Sequence, residues 1–476
     1  EAVLRGLAPD GGLYVDPLIG SRPFDVQGCL ALDPLGQSEK VLAHLLPGFA
    51  DMHGLVRRAY EGRFSSPELT PLVPVGDDYV LELFHGPTAA FKDVALCMLP
   101  QLMTAARDLT GMKEKTVILT ATSGDTGKAA LEGFHDVPGT GIVVFFPHQG
   151  VSAVQEAQML TQEGSNVAVC AVRGNFDDCQ SGVKRAFATL NESDALAAAG
   201  CSLSSANSIN IGRLVPQVVY YVYSYVTLLA RGEIREGEEI NVVVPTGNFG
   251  NILAAYYAKQ MGVPIKKLIC ASNMNHILTD FFKTGVYDRN REFYKTITPS
   301  MDILISSNLE RLLYHETNGD TEKVKTFMKD LNETGKYKIN SSLKNRLDKI
   351  FYADYATEEE TTALIKEVFG NYKYLVDTHT AVAMMVLGKY RRNTKDMSPV
   401  MLASTASPFK FTNSVLKALG ENTEGIDDLD QLDKLSWITK KAVPKNLAAL
   451  GTAKILHENI CDKNEMAEQV LKFADQ

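Results

Sequence analysis

The residue best suited to covalent chemistry is Lys92, in the segment Phe84–Asp93, FHGPTAAFKD. The run before it reads as a strand, Gly86-Pro87 turns the chain, and the lysine falls near the start of the next helix. The positive end of a helix dipole favours the neutral amine, the form that attacks a carbonyl carbon to make a Schiff base. The plain alternative is a solvated helix lysine beside Asp93. A second loop, Thr120–Gly127 (TATSGDTG), sets hydroxyls and closely spaced N–H groups ahead of a helix and suits an anion. It is no nucleotide P-loop, because Thr122 and Ala129 stand where that motif requires Gly and Ser or Thr. In Pro245–Asn251 (PTGNFGN) two glycines three apart let backbone approach a phosphate, although an ordinary glycine turn would look the same. The pattern is not G-x-G-x-x-G, so no dinucleotide site is indicated.

Two further segments carry polar side chains at helix starts. Ala403–Pro408 (ASTASP) offers hydroxyls that either bind a ligand or cap a turn. Ser204–Arg213 (SSANSINIGR) brings Asn207, Ser208, Asn210 and Arg213 to the head of an apolar helix. Such a group holds a phosphate or carboxylate, or is a capped helix with a surface arginine.

The elements that must position these loops alternate. Apolar runs at Tyr79–Phe84, Thr116–Ala121, Ile142–Phe146, Val167–Val172, Ile240–Val244, Lys267–Ala271 and Val400–Ala403 read as strands. Stretches with helical spacing lie between them, among them Val94–Leu109, Ala153–Gln162 and Asn251–Met261. Strand, turn, helix, strand at this interval predicts an α/β fold with parallel sheets covered on both faces. Ligands then gather where strand ends lead into helices. Residues 1–75 form a Gly- and Pro-punctuated N-terminal region. The chain is expected to divide into α/β domains at 76–230 and 231–476, with a Lys- and Glu-rich helical insertion at about 283–372.

Composition narrows the function. The 476 residues include 48 Lys and Arg against 57 Asp and Glu, a net charge of −9, so no global basic excess points to nucleic acid. The seven cysteines form no C-x-x-C pair, and the nine histidines no H-x-x-x-H pair, which predicts buried reduced thiols in a cytoplasmic protein and no metal site. Leu214–Ala230 contains Pro216, Gln217 and four tyrosines and is shorter than the ~20 residues of a bilayer span, so it reads as a buried helix. No signal-peptide pattern opens the sequence. Because it starts at Glu1, a short N-terminal piece is expected to precede it.

In combination, H-G-P-T-x-x-F-K-D, A-T-S-G-D-T-G, S-A-N-S-I-N-I-x-R, G-N-F-G-N and a late S-T-A loop resemble threonine synthases of the longer bacterial and fungal branch. These are fold-type II pyridoxal-phosphate enzymes. The opening Gly6–Val15 (GLAPDGGLYV) is similar as well, and the resemblance runs from about residue 2 to 420. It implies that Lys92 carries pyridoxal 5'-phosphate as a Schiff base and that Gly247, Asn248, Phe249, Gly250 and Asn251 cradle the cofactor phosphate. It implies that Ser123, Gly124, Asp125 and Thr126 grip the substrate carboxylate, and that Thr405 lies beside the pyridine nitrogen. Asp125 falls where shorter relatives carry Asn facing the cofactor's phenolic oxygen; an acid there needs a proton or a positive neighbour. Asn207, Ser208, Asn210 and above all Arg213 are the candidates for a substrate phosphate, and His85 for orientation.

The reaction implied is O-phospho-L-homoserine plus water giving L-threonine and phosphate. A phospho-lyase on the same scaffold would release 2-oxobutyrate, ammonia and phosphate instead. From another class, a non-catalytic pyridoxal-phosphate-binding protein is disfavoured by the retained Lys92. The expected partner is a small amino-acid phosphate, with no nucleic acid and no membrane, for a monomer or homodimer.

Overall fold

The computed structural model describes residues 1–122, 124–192 and 195–475. Thirteen strands occur among them: β1 (Leu72–Val75), β2 (Asp78–Glu82), β3 (Lys115–Ala121), β4 (Thr140–Pro147), β5 (Val167–Arg173), β6 (Cys201–Ser205), β7 (Ile240–Pro245), β8 (Ile265–Ser272), β9 (Val286–Asp288), β10 (Lys336–Lys338), β11 (Phe351–Tyr355), β12 (Val400–Ser404) and β13 (Asn459–Asp462). The apolar runs are continuous rather than alternating because helices bury both faces, as in β4, where every residue is buried.

Two sheets result. One has the order β1-β2-β12-β7-β8-β11, parallel except for the β1–β2 hairpin. The other, β13-β5-β4-β3-β6, is parallel throughout. All seven apolar runs read as strands are strands.

The sheets do not divide the chain at residue 230. β2 pairs with β12 (Leu81 opposite Ala403) and so lies in the sheet of the later strands, whereas β13 returns to pair with β5. The 76–230 and 231–476 blocks therefore each contribute to both sheets. Neither exchange is visible in local pattern, since β2 and β13 find partners over 280 residues away. The 283–372 segment also departs from a purely helical insertion. It holds the helices Leu309–Glu316, Thr321–Thr334, Ser341–Ile350 and Glu358–Tyr372, but also the antiparallel pair β9–β10, whose strands are separated by two of those helices, and β11, which forms an edge of the six-stranded sheet.

Cys29, Cys97, Cys170, Cys179, Cys201, Cys270 and Cys461 are all buried and unpaired by disulfides. Leu214–Ala230 packs in the core, as a 3-10 turn followed by the helix Val218–Ala230. Among the described residues no helix is long and apolar enough to cross a membrane.

Candidate active site

In the six-stranded sheet β2, β12 and β7 are neighbours running in parallel, so the loops leaving their carboxyl ends emerge side by side. These are the lysine segment, the ASTASP loop and the GNFGN loop. The first two are stitched together. Phe91 N donates to Thr405 O at 2.8 Å, and Ser407 N donates to Ala89 O at 3.0 Å. Lys92 is the first residue of the helix Lys92–Thr110 and is buried. Asp93 does not screen it as a solvent cap. Its carboxylate accepts from Thr88 N at 2.9 Å and Thr88 Oγ1 at 2.5 Å, holding the turn that presents the lysine. Burial pushes Asp93 up to about 6 against those hydrogen bonds.

The second sheet supplies the facing wall. After β3 the chain turns through Gly124, whose φ of +138° only glycine adopts readily and whose Cβ, if present, would collide with the Gln155 carboxamide. Thr122 Oγ1 accepts from Gly124 N and Gly127 N, both at 2.9 Å, and so caps the helix Asp125–Phe134. Asp125 begins that helix, buried, with Oδ2 4.0 Å from Lys92 Nζ. Its other oxygen is 2.7 Å from Lys410 Nζ and accepts from Gln155 Nε2 at 3.0 Å. Burial works to raise the Asp125 carboxyl, but Lys410 and Lys92 outweigh it and hold the group well below the usual carboxylate range. The positive neighbour that an acid at this position requires is therefore present, twice over. Thr126 is half-buried on the first turn of the same helix, and Ser123 lies outside the described residues.

Lys92 itself is pushed down to about 8. Burial is the main cause; Asp125 opposes it, while Arg213 and Lys410 add to it.

Arg213 comes from the segment after β6. It is 3% exposed; Nη1 donates to Ala206 O at 2.8 Å, and Nε has no partner among the described residues. Burial pulls its guanidinium down to about 10. A buried guanidinium left with an unmade donor is costly unless a ligand completes it. Ser208 Oγ lies 3.4 Å from Ser307 Oγ, and Asn207 is half-buried beside it in the chain. Asn210 is committed elsewhere: Oδ1 accepts from Gly212 N at 2.8 Å as a helix cap, and Nδ2 donates to Val3 O at 2.9 Å and Ser205 O at 3.2 Å. His85 is also occupied, with Nε2 2.7 Å from Glu82 Oε2 and Nδ1 3.2 Å from Ser65 Oγ. Nothing aims either side chain at a ligand.

The GNFGN loop ends at the helix Gly250–Gln260. Phe249, just before it, has φ +64°. Left-handed backbone costs a non-glycine residue on the order of 1–2 kcal/mol. Here it is offset by burying the ring against Phe282 and Phe351, with centroids 6.0 and 5.8 Å away. A Cβ on Gly247 would sit 2.5 Å from Ser300 O, so the backbone there is fitted closely against the 3-10 turn Pro299–Met301. Ser306 Oγ donates to Gly247 O at 2.7 Å, while Asn308 N and Nδ2 donate to Asn248 O at 3.1 and 3.0 Å. Asn251 is held through Oδ1 by the Tyr221 hydroxyl, and its buried Nδ2 has no partner among the described residues. Carbonyls tied back in this way leave the N–H groups of the loop and helix start for an anion.

Comparison with known proteins decides the family. The family described as "Pyridoxal-phosphate dependent enzyme" matches residues 67–337, and "Threonine synthase, C-terminal" matches residues 380–466. Threonine synthase of Saccharomyces cerevisiae is 37% identical over 93% of this chain and 91% of its own length. The chain belongs to the threonine synthase family. Another member, the pyridoxal-phosphate-bound threonine synthase of Brucella melitensis, superposes with a TM-score of 0.86 at 35% identity over 100% of this chain and 96% of that one. Human threonine synthase-like 1 is 40% identical over 88% of this chain; the match spans 58% of the human protein.

Sequence reasoning missed Lys410 and Gln155, which complete the Asp125 cluster, and Arg311, which braces the GNFGN loop through Asn308. A lysine between two phenylalanines in SPFKF is a signal of burial; Gln155 carries none.

Proposed function

We propose that the protein is a threonine synthase, converting O-phospho-L-homoserine and water to L-threonine and phosphate with pyridoxal 5'-phosphate. The residues fit that cofactor. A buried amine near 8 supplies a neutral fraction at Lys92, and the braced loop 247–251 with the unpartnered Asn251 Nδ2 supplies a phosphate cradle. Bound there, the cofactor's ring withdraws electrons from Cα of the attached amino acid. Thr405, at the end of β12, is the proposed partner of the ring nitrogen.

Everything else falls to the chain. The N–H groups at the start of the helix Asp125–Phe134, with Thr126, orient the substrate carboxylate. Arg213, Ser208 and Asn207 take the substrate phosphate. Lys92 Nζ, as a free amine, would remove the Cα proton, give it up, and then remove a Cβ proton. The Cγ–O bond breaks and phosphate leaves, Cγ takes a proton to become the methyl group, water bonds to Cβ through oxygen while losing a proton, and Cα regains its proton. Asp125 stays ionised throughout, keeping a negative charge 4.0 Å from the amine that gains the proton.

The observation that carries this reading is Arg213, a buried guanidinium with an unmade donor, close enough to Lys92 for its charge to depress that amine. The test is product analysis with O-phospho-L-homoserine and the cofactor. Threonine and phosphate in equal amounts are expected, and Lys92→Ala is expected to lose the absorbance of covalently held cofactor. Phosphate with 2-oxobutyrate and little threonine would replace the synthase by a lyase.

A further inference from the structure

Two lysines flank one carboxylate in this site, and they do not share it equally. Lys410 belongs to the turn Pro408–Phe411 that follows the ASTASP loop, and its side chain is fully buried. Its Nζ is 2.7 Å from Asp125 Oδ1 and donates to Thr88 O at 2.9 Å. Lys92 Nζ stands 4.0 Å from Asp125 Oδ2, beyond hydrogen-bond length. Thr88 is also the residue whose N–H and hydroxyl hold Asp93, so Lys410 binds both the turn that presents Lys92 and the acid that faces it.

We propose that Lys410 is a positioning residue that sets the protonation of Lys92: by taking Asp125 as its own partner, it leaves the Lys92 amine without a hydrogen-bonded counter-ion. The inference rests on Lys92 being the cofactor lysine. The charges facing Lys92 are Asp125 from the helix Asp125–Phe134, Lys410 from its turn, Arg213 from the helix Ile211–Leu214 and Asp93 from its own helix. Two are negative. Asp93 is bound to Thr88, and Asp125 is claimed by Lys410. Remove Lys410, and Asp125 is left facing Lys92, which then holds its proton.

The test measures Lys92 directly. In the full-length chain freed of cofactor, the rate at which Lys92 is acetylated by acetic anhydride, followed across pH by mass spectrometry, gives the midpoint of its titration. Pyridoxal phosphate should protect Lys92 from the reagent. If it does not, the cofactor reading fails rather than this one. Lys410→Met is expected to move the midpoint up by roughly one pH unit or more, and Lys410→Gln to do the same with less disturbance of the Thr88 contact. Lys410→Arg, which keeps the charge, should leave the midpoint near wild type. Made on top of Asp125→Asn, the Lys410→Met or Lys410→Gln change should shift it much less. An unmoved midpoint in Lys410→Gln, or an equal shift with and without Asp125→Asn, would overturn the proposal, since the second result is what bare repulsion between two lysines gives.

Discussion

Arg213 and Arg311 are the same side chain at almost the same depth, 3% and 1% exposed. Their surroundings differ in one respect, the number of donors the protein satisfies. Arg311 donates from Nε to Tyr14 O at 2.8 Å, from Nη2 to Ile209 O at 2.6 Å and from Nη1 to Asn308 Oδ1 at 2.5 Å. It thereby ties the N-terminal region, the 204–213 segment and, through Asn308, the GNFGN loop into one body. Arg213 makes a hydrogen bond from Nη1 to Ala206 O and leaves Nε unpaired among the described residues. Arg311 uses its donors inside the fold. Unmade Nε atoms also occur at the half-buried Arg22, Arg107 and Arg391, so what singles out Arg213 for the proposed ligand role is its near-complete burial beside Lys92. Residue type and burial alone would not separate them.

The sharpest break of this comparison is Arg213→Met. With O-phospho-L-homoserine, kcat/KM is expected to fall on the order of a hundredfold or more, the loss typical when one partner of a buried charged contact is removed. The melting temperature should hold or rise, because the change removes a desolvated charge with few internal bonds. A large fall in melting temperature with an unchanged KM would make Arg213 structural.

The mirror image is Arg311→Met. Three acceptors lose their donor, so stability should drop by about 3 kcal/mol, read as a shift in the urea midpoint. Cofactor affinity should weaken too, since Asn308 no longer holds Asn248 in place. Substrate KM should change less than in Arg213→Met.

How much of this was legible beforehand follows the same line between local and distant information. Strand–loop–helix periodicity marks seven strands and the loops that follow them, because apolar runs and Gly-rich turns are local signals. The partners of β2 and β13 are not local, and neither is the exchange of strands between the sheets. Lys92, Asp125 and Arg213 are legible from motifs. What Asp125 needs is legible as well, but its supplier, Lys410, lies 285 positions away in sequence and only the fold brings it to 2.7 Å. Asn210 and His85 show the converse: a polar residue in the right motif can be fully committed to a cap or a turn.

Acidity tests the Arg311 side of the comparison. His315 lies one turn further along the helix Leu309–Glu316, 3.1 Å from the Tyr257 hydroxyl. Burial lowers it to about 4, Asp16 opposes this, and Arg311 lowers it further. The folded state then binds fewer protons than the unfolded state, where the group titrates near 6.5. Its contribution is complete above 6.5 and is lost as pH falls toward 4. Urea midpoints measured at pH 7 and 5 should converge in His315→Gln relative to wild type. Arg213→Met should leave that difference unchanged.

The smallest expected effect carries the comparison to neutral groups. Ser208 and Asn210 are two positions apart in one motif, yet Asn210 has its cap and two carbonyl contacts while Ser208 has a single long contact to Ser307. If satisfied donors mean structure and unsatisfied ones mean ligand, the two alanine variants must part ways. Asn210→Ala should lower stability by about 1–2 kcal/mol, the cost of a lost cap, with KM nearly unchanged. Ser208→Ala should leave the urea midpoint within error and raise KM several-fold, as befits a neutral hydrogen bond worth roughly 0.5–1.5 kcal/mol. Titration with inorganic phosphate separates the two further, because competition against substrate should weaken in Ser208→Ala and persist in Asn210→Ala. Were both variants to move KM together, the segment would act as one rigid lip of the site, and donor accounting would lose its power to tell the two residues apart.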